Sequence, residues 1–170
     1  MASFEPDRRI VRQLARLEPR PWSGMVWRHT LGTNPPDRTN TRGARWNPPG
    51  VEALYASLDR ATAVAEGDHL LAVQPIAPNV RRVVHRLAVE LSALVDLSDR
   101  ELLAALGVDH DALTGDDHAR CRAVGGAASF LELDGLIVPS ARSAGLNLVI
   151  LFERRDMTPR IRVVESVPLA

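Results

Sequence analysis

Arg42-Gly-Ala-Arg-Trp-Asn-Pro-Pro-Gly-Val-Glu-Ala-Leu-Tyr55 joins a charged, irregular loop to a short apolar segment ending in a tyrosine. Pro48 and Pro49 lack amide donors and fix φ, while Gly43 and Gly50 open conformations with φ > 0, so the loop cannot be helical. A stretch that places a Trp, two Arg and an Asn in an irregular turn reads as a site rather than a connector. Arg45 and Tyr55 suit a phosphorylated, aromatic ligand. A planar guanidinium pairs phosphate oxygens bidentately, as an ammonium cannot, and a tyrosine ring stacks on a base. The surrounding loop, 32–50, is nearly twenty residues long and rich in Pro, Asn, Thr and Arg, a length that in a compact domain marks function or disorder.

Outward from this loop, Ile10, Val11, Leu14 and Leu17 predict a helix over Asp7–Leu17, ended by Pro19 and Pro21. Gly24–Leu31 reads as a strand carrying Arg28, and Ala53–Ala56 as a second. Ser57 is placed to cap a helix from Leu58 to Val73, which Pro75 and Pro78 stop. Arg81–Val95 alternates as a long strand. Short helices follow over Asp99–Leu106 and Asp109–Leu113, then a longer one over Asp116–Leu133 with Gly125 and Gly126 as points of close packing or weakness. Three strands close the chain, Gly135–Val138, Leu146–Glu153 and Arg160–Val167, the first two joined by the small-residue turn 139–145. The expected fold class is α+β, with mostly antiparallel strands and flanking helices to one side, in a single domain over 1–170.

The 170 residues are 45% hydrophobic and 25% charged, as in a soluble globular domain, and bury about two-thirds of the unfolded surface. No apolar run reaches the ~20 residues of a membrane span. The N-terminus has no apolar signal core, and the one cysteine, Cys121, fits a reducing compartment, so a cytoplasmic location is expected. All 21 basic residues are arginine, which excludes lysine Schiff-base chemistry and a P-loop. Net charge is +0, yet nine of the arginines face only four acids within residues 1–50. That basic third either faces an anionic ligand or is a chance imbalance.

Glu66 lies mid-helix among Ala63, Ala65 and Gly67. On an exposed face it is an ordinary helix glutamate. In a cleft it is a rigidly held acid able to stabilise developing positive charge, and its small neighbours favour close packing. His69, one turn on, shares roughly that face. Ser140 and Ser143 sit in a turn without the Gly-x-Ser-x-Gly elbow of a nucleophile; donating a hydroxyl to a ligand is the functional role open to them. The histidines at 29, 69, 85, 110 and 118 lack metal-ligand spacing, so no metal is expected. Acids around His110 and His118 fit helix starts. Interleaved aromatics for base stacking are missing, so direct nucleic-acid binding is not expected.

Taken in order, Trp27-Arg28, Gly43-Ala-Arg-Trp-Asn-Pro-Pro-Gly50, Leu54-Tyr55-Ala-Ser57, Glu66 and Gly135-Leu-Ile-Val-Pro-Ser-Ala-Arg142 leading to Asn147-Leu-Val-Ile-Leu-Phe152 resemble the RES domain, over about residues 22–168. The resemblance implies an ADP-ribosyltransferase-like core and a bacterial toxin that consumes NAD as substrate, without a separate cofactor. It also implies a partner antitoxin of the Xre helix-turn-helix type. Carried over, Glu66 is the catalytic carboxylate, and Arg28 and Arg45 contact the pyrophosphate or ribose. Tyr55 stacks on the nicotinamide, Ser140 bonds the nicotinamide ribose or amide, and Asn147 supports the pocket. His29 departs from the family pattern at the pocket rim. Val64 stands where protein-modifying relatives of this chemistry carry a second acid.

The leading expectation is therefore cleavage of the nicotinamide–ribose bond with transfer of ADP-ribose to water or inorganic phosphate. Nicotinamide is a good cationic leaving group, so a carboxylate, a stacking ring and a phosphate clamp suffice. Two alternatives stand beside it: an ADP-ribosyltransferase acting on a specific metabolic enzyme, and a catalytically silent nucleotide- or nucleic-acid-binding module. The sequence decides neither the acceptor nor the oligomeric state, and a homodimer stays open.

Overall fold

The computed structural model describes residues 4–75 and 79–170. Asp7 caps the first helix, α1 (Arg8–Leu14), by accepting from the amides of Arg9 and Ile10. Strands β1 (Arg20–Leu31) and β2 (Ala53–Ser57) flank the long loop, and helix α2 (Arg60–Val73) follows. After β3 (Arg82–Asp96) come three helices, α3 (Arg100–Ala105), α4 (His110–Thr114) and α5 (Ala119–Phe130). Strands β4 (Gly135–Pro139), β5 (Leu146–Leu151) and β6 (Arg160–Pro168) complete the chain. Each expected element is present with shifted ends, and Pro78 lies outside the described residues.

The sheet order β1-β2-β5-β4-β3-β6, with β3 also paired to β1, closes five strands into a barrel and leaves β6 on the edge of β3. This corrects the simple antiparallel layout. One contact, β3 with β4, is parallel, as a crossover through three helices allows. Val26, Leu54, Leu87, Ile137 and Ile150 come from all five strands of the ring into one apolar cluster. Alternate residues such as Ala53, Val95, Val138 and Val149 join a second cluster with α1, α3, α4 and α5. Both strand faces are thus covered, which explains why β4 and β5 read as continuous apolar runs.

The barrel is weakest between β1 and β2, where one register pair, Trp27 with Ser57, links them. By contrast, β1 runs along β3 from Arg20 to Leu31. At this seam the Arg28 side chain substitutes for backbone pairing: its Nη1 donates to the Tyr55 carbonyl at 2.5 Å.

Helix α5 fixes the loop that precedes β2. A Cβ on Gly125 would lie 1.5 Å from the Trp46 carbonyl oxygen, so helix and loop backbones touch. Gly43 and Gly50 have φ of 98° and 93°, the left-handed conformations their place in the loop suggested. On an exposed helix Gly→Ala stabilises by about 1 kcal/mol. Here Gly125→Ala is expected to do the reverse, since relieving such overpacking costs about 1–3 kcal/mol. The melting temperature is expected to fall by several degrees, at roughly 2–4 °C per kcal/mol for a domain of this size. A thermal melt that rises or stays level contradicts the contact.

Candidate active site

Helix α2 carries Glu66, and two positions one turn apart dock it on the turn after β4. Asp59 caps the helix, accepting from the Thr62 amide and hydroxyl at 2.8 Å each. Thr62 Oγ1 lies 2.9 Å from Ser143 Oγ, and a Cβ on Gly145 would come within 1.9 Å of that same hydroxyl. Four residues on, and therefore on the same helix face, Glu66 Oε1 accepts from Ser140 Oγ at 2.6 Å and from Asn147 Nδ2 at 2.8 Å. Gly67 rests on the His29 ring of β1, where a Cβ would sit 2.5 Å from ring atoms. The small residues around Glu66 bring the helix close to the barrel.

The donors to Glu66 are themselves oriented. Ser140 Oγ accepts from the amides of Arg142 at 3.0 Å and Ser143 at 3.2 Å, which directs its single proton to the carboxylate. Ser57 Oγ donates to Asn147 Oδ1 at 2.8 Å, which turns the amide so that its NH₂ faces Glu66. Ser57 is thus the last residue of β2 and a support for the site, not the helix cap that the sequence suggested. Asp59, two residues later, takes the cap.

Glu66 borders a cleft of about 610 Å³ that opens at the β1–β2 seam, within the size range of small-molecule sites. Arg28, Arg45, Tyr55, Glu66 and Asn147 all line it. Ser140 is 3% exposed and lies behind Glu66, so it reaches the cleft through the carboxylate.

The arginines are braced by backbone carbonyls. Arg45 Nη1 donates to the Leu113 carbonyl at 2.6 Å and to the Gly115 carbonyl at 3.0 Å, and the guanidinium also lies against the Cys121 thiol. Arg28 Nη2 donates to Arg38 at 3.2 Å, in addition to its bond across the seam. Burial lowers the pKa of both guanidiniums below the usual value, with Asp37 opposing the effect at Arg28 and Cys121 and Glu66 opposing it at Arg45.

Tyr55 does more than offer a ring. Its hydroxyl donates to Asn47 Oδ1 at 2.6 Å and accepts from the Trp46 amide at 3.0 Å. Asn47, fully buried, passes its own amide to the Val51 carbonyl at 2.7 Å. The Trp-Asn-Pro-Pro loop is held to β2 through the phenol, whose pKa burial raises. Burial likewise pushes the Cys121 thiol up to about 11, so it is a protonated packing group at neutral pH rather than a nucleophile.

Arg142 and His118 are among the other residues that line the cleft, as are His29, His69 and Asp116. Arg142 was visible in the sequence only as the end of Pro-Ser-Ala-Arg, and His118 as part of an acidic helix start. Burial, then the positive charges of Arg45, Arg122 and Arg142, lower the pKa of His118, with Asp116 opposing. Among the described residues no group of histidine, cysteine and acidic side chains could hold a metal ion. None of their helices is long and apolar enough to cross a membrane.

A single helix carboxylate, held by neutral donors in an arginine-lined cleft beside a barrel seam, defines the class of site. The RES domain family model matches residues 13–170, and the chain belongs to that family. It is 31% identical over 134 residues to the NAD(+) phosphorylase MbcT of Mycobacterium tuberculosis and of Mycobacterium bovis, covering 75% of this chain and 70% of that protein. It is 35% identical over 118 residues to a probable NAD(+) phosphorylase of M. tuberculosis, Rv3189, covering 69% of this chain and 55% of that one. The crystal structure of the M. tuberculosis MbcT–MbcA toxin–antitoxin complex matches with a TM-score of 0.78 and 26% identity, over 96% of this chain and 93% of that chain.

A stacking role alone makes Tyr55→Phe nearly silent, but the two hydroxyl bonds give a different expectation. Phenylalanine leaves the Trp46 amide and Asn47 Oδ1 without their partner, at a cost of about 1–3 kcal/mol. Both the melting temperature and turnover should drop as the Arg45 loop loosens. An unchanged melt in Tyr55→Phe contradicts the anchoring role.

Proposed function

We propose that this chain is the toxin of a toxin–antitoxin pair. In this reading it depletes NAD by cleaving the nicotinamide–ribose bond and passing ADP-ribose to inorganic phosphate, with water as the lesser acceptor. The observation that carries the reading is Glu66, held on a helix by two neutral donors in a cleft that Arg28 and Arg45 also line. The names of the relatives, NAD(+) phosphorylases, favour phosphate over water. We further propose that the barrel and α2 form an ADP-ribosyltransferase-like core working in the cytoplasm, and that an Xre-type helix-turn-helix antitoxin is the partner. The match to a toxin–antitoxin complex supports an antitoxin.

In this mechanism the C–N bond between ribose and nicotinamide breaks, and its electron pair leaves on the nicotinamide nitrogen, which becomes neutral. No general acid is required. Positive charge builds on the ribose, and Glu66 stabilises it as an oxocarbenium-like centre. The carboxylate suits this because Ser140 and Asn147 fix its position without neutralising its charge. Among the described residues its Oε2 has no protein donor. The guanidiniums of Arg45 and Arg28, which both line the cleft, bind the pyrophosphate with the N–H groups their backbone carbonyl partners leave over. The Tyr55 ring stacks on the nicotinamide.

Glu66→Gln tests this directly. A glutamine carbonyl can still accept from Ser140 and Asn147, so the fold and NAD affinity should persist. Turnover should fall roughly 10²–10³-fold, the loss of about 3–4 kcal/mol typical of a removed transition-state electrostatic group. Turnover, NAD binding and thermal melting on this one variant separate the readings. A purely structural Glu66 gives a lower melt with modest loss, and NAD consumption within about tenfold of the parent sinks the mechanism.

A further inference from the structure

Three arginines line the cleft, and the reading above assigns two of them, Arg28 and Arg45, to the pyrophosphate. The three differ in how they are held. Arg28 and Arg45 are braced by carbonyls. Arg142 also lines the cleft and is half-buried. Yet among the described residues its guanidinium makes no hydrogen bond and no ion pair with the protein. The His118 ring, lining the same space, has no hydrogen-bond partner among them either.

Arg142 is also tied to the catalytic carboxylate. Its backbone amide donates to Ser140 Oγ at 3.0 Å, and that hydroxyl donates to Glu66 at 2.6 Å. The backbone of Arg142 is therefore rooted two hydrogen bonds from Glu66, and its guanidinium lines the same cleft as that carboxylate. The pyrophosphate of NAD begins on the far side of the ribose, at its 5′ carbon. The nucleophile, by contrast, must reach the anomeric carbon itself.

Water needs no cation to enter beside a carboxylate. A phosphate dianion does, because Glu66 repels it, and a planar fork offsets that repulsion while presenting one phosphate oxygen for attack. Arg45 adds to the positive field at this place, and exposed Asp116 is the acid that opposes it at His118.

We propose that Arg142 forms the subsite for the acceptor, inorganic phosphate, distinct from the arginines that hold NAD. The proposal rests on the phosphorolysis reading above. A phosphate oxygen forms the new bond to the anomeric carbon as the bond to nicotinamide breaks. One negative charge of the phosphate and the positive charge of the pyridinium cancel. ADP-ribose 1″-phosphate and neutral nicotinamide leave, and no proton needs a protein base.

The test measures initial rates of NAD consumption by the parent, Arg142→Gln and Arg142→Lys across a phosphate series, with products separated and melting curves recorded. In the parent, consumption should rise with phosphate and yield the sugar phosphate. Arg142→Gln should raise the KM for phosphate roughly tenfold or more, the effect of losing a charge-assisted pair. Its KM for NAD should move far less, and Arg142→Lys should fall between. A KM for NAD that rises as much as that for phosphate makes Arg142 a pyrophosphate ligand and overturns the subsite. An unchanged phosphate KM in a folded variant also overturns it, while phosphorolysis by the parent stands. Parent activity indifferent to phosphate overturns both the phosphorolysis reading and the subsite.

Discussion

The bond pair on Glu66 Oε1 is the constraint around which the rest of the site is arranged. Its donors, Ser140 and Asn147, come from the two ends of the turn between β4 and β5, so the carboxylate staples α2 to the barrel. Both donors are neutral. An arginine or lysine partner would hold the group as firmly but would cancel the charge needed by a developing cation. A carboxylate fixed by neutral donors keeps a preorganised charge, which the proposed reaction uses as positive charge builds on the ribose. The supports extend outward through Ser57 to β2 and through the Ser140 turn to the Thr62 face of α2.

The second constraint is the unfinished seam between β1 and β2. Backbone pairing there is reduced to one residue pair, and a buried arginine bridges the gap. A fully zipped seam would leave no space for a ligand between α2 and the Arg45 loop. Arg28 therefore serves two ends, joining the barrel and presenting charge at the cleft. Tyr55 is similar: the hydroxyl sets the loop that carries Arg45, and the ring stays at the cleft wall.

Much of this was legible in the sequence because local rules govern it. Alternation located β3, prolines and glycines marked the loop, and small residues around Glu66 announced a tightly seated helix. Closure of the barrel was not legible, because it depends on pairing between β1 and β3, across some sixty intervening residues. The parallel β3–β4 contact did have a signal, three helices between two apolar runs, which no hairpin can span. Ser57 was misread because two capping candidates, Ser57 and Asp59, precede the same helix and only geometry chooses between them. The hydroxyl of Tyr55 and the buried Asp134, which accepts from the amides of Ser92 and Ala93 at 2.8 Å each, satisfy backbone donors distant in sequence. No spacing rule reaches such pairs.

The central claim is that Ser140 and Asn147 act through Glu66 and not beside it. A double-mutant cycle on kcat/KM measures this, pairing Glu66→Gln with Asn147→Ala and, separately, with Ser140→Ala. In the parent background each alanine should slow NAD turnover by about tenfold or more, as loss of a hydrogen bond to a charged group does. In the Glu66→Gln background the same alanines should have little further effect, because the charge they position is already gone. Effects that simply multiply in the double variants would show three independent residues and contradict the account.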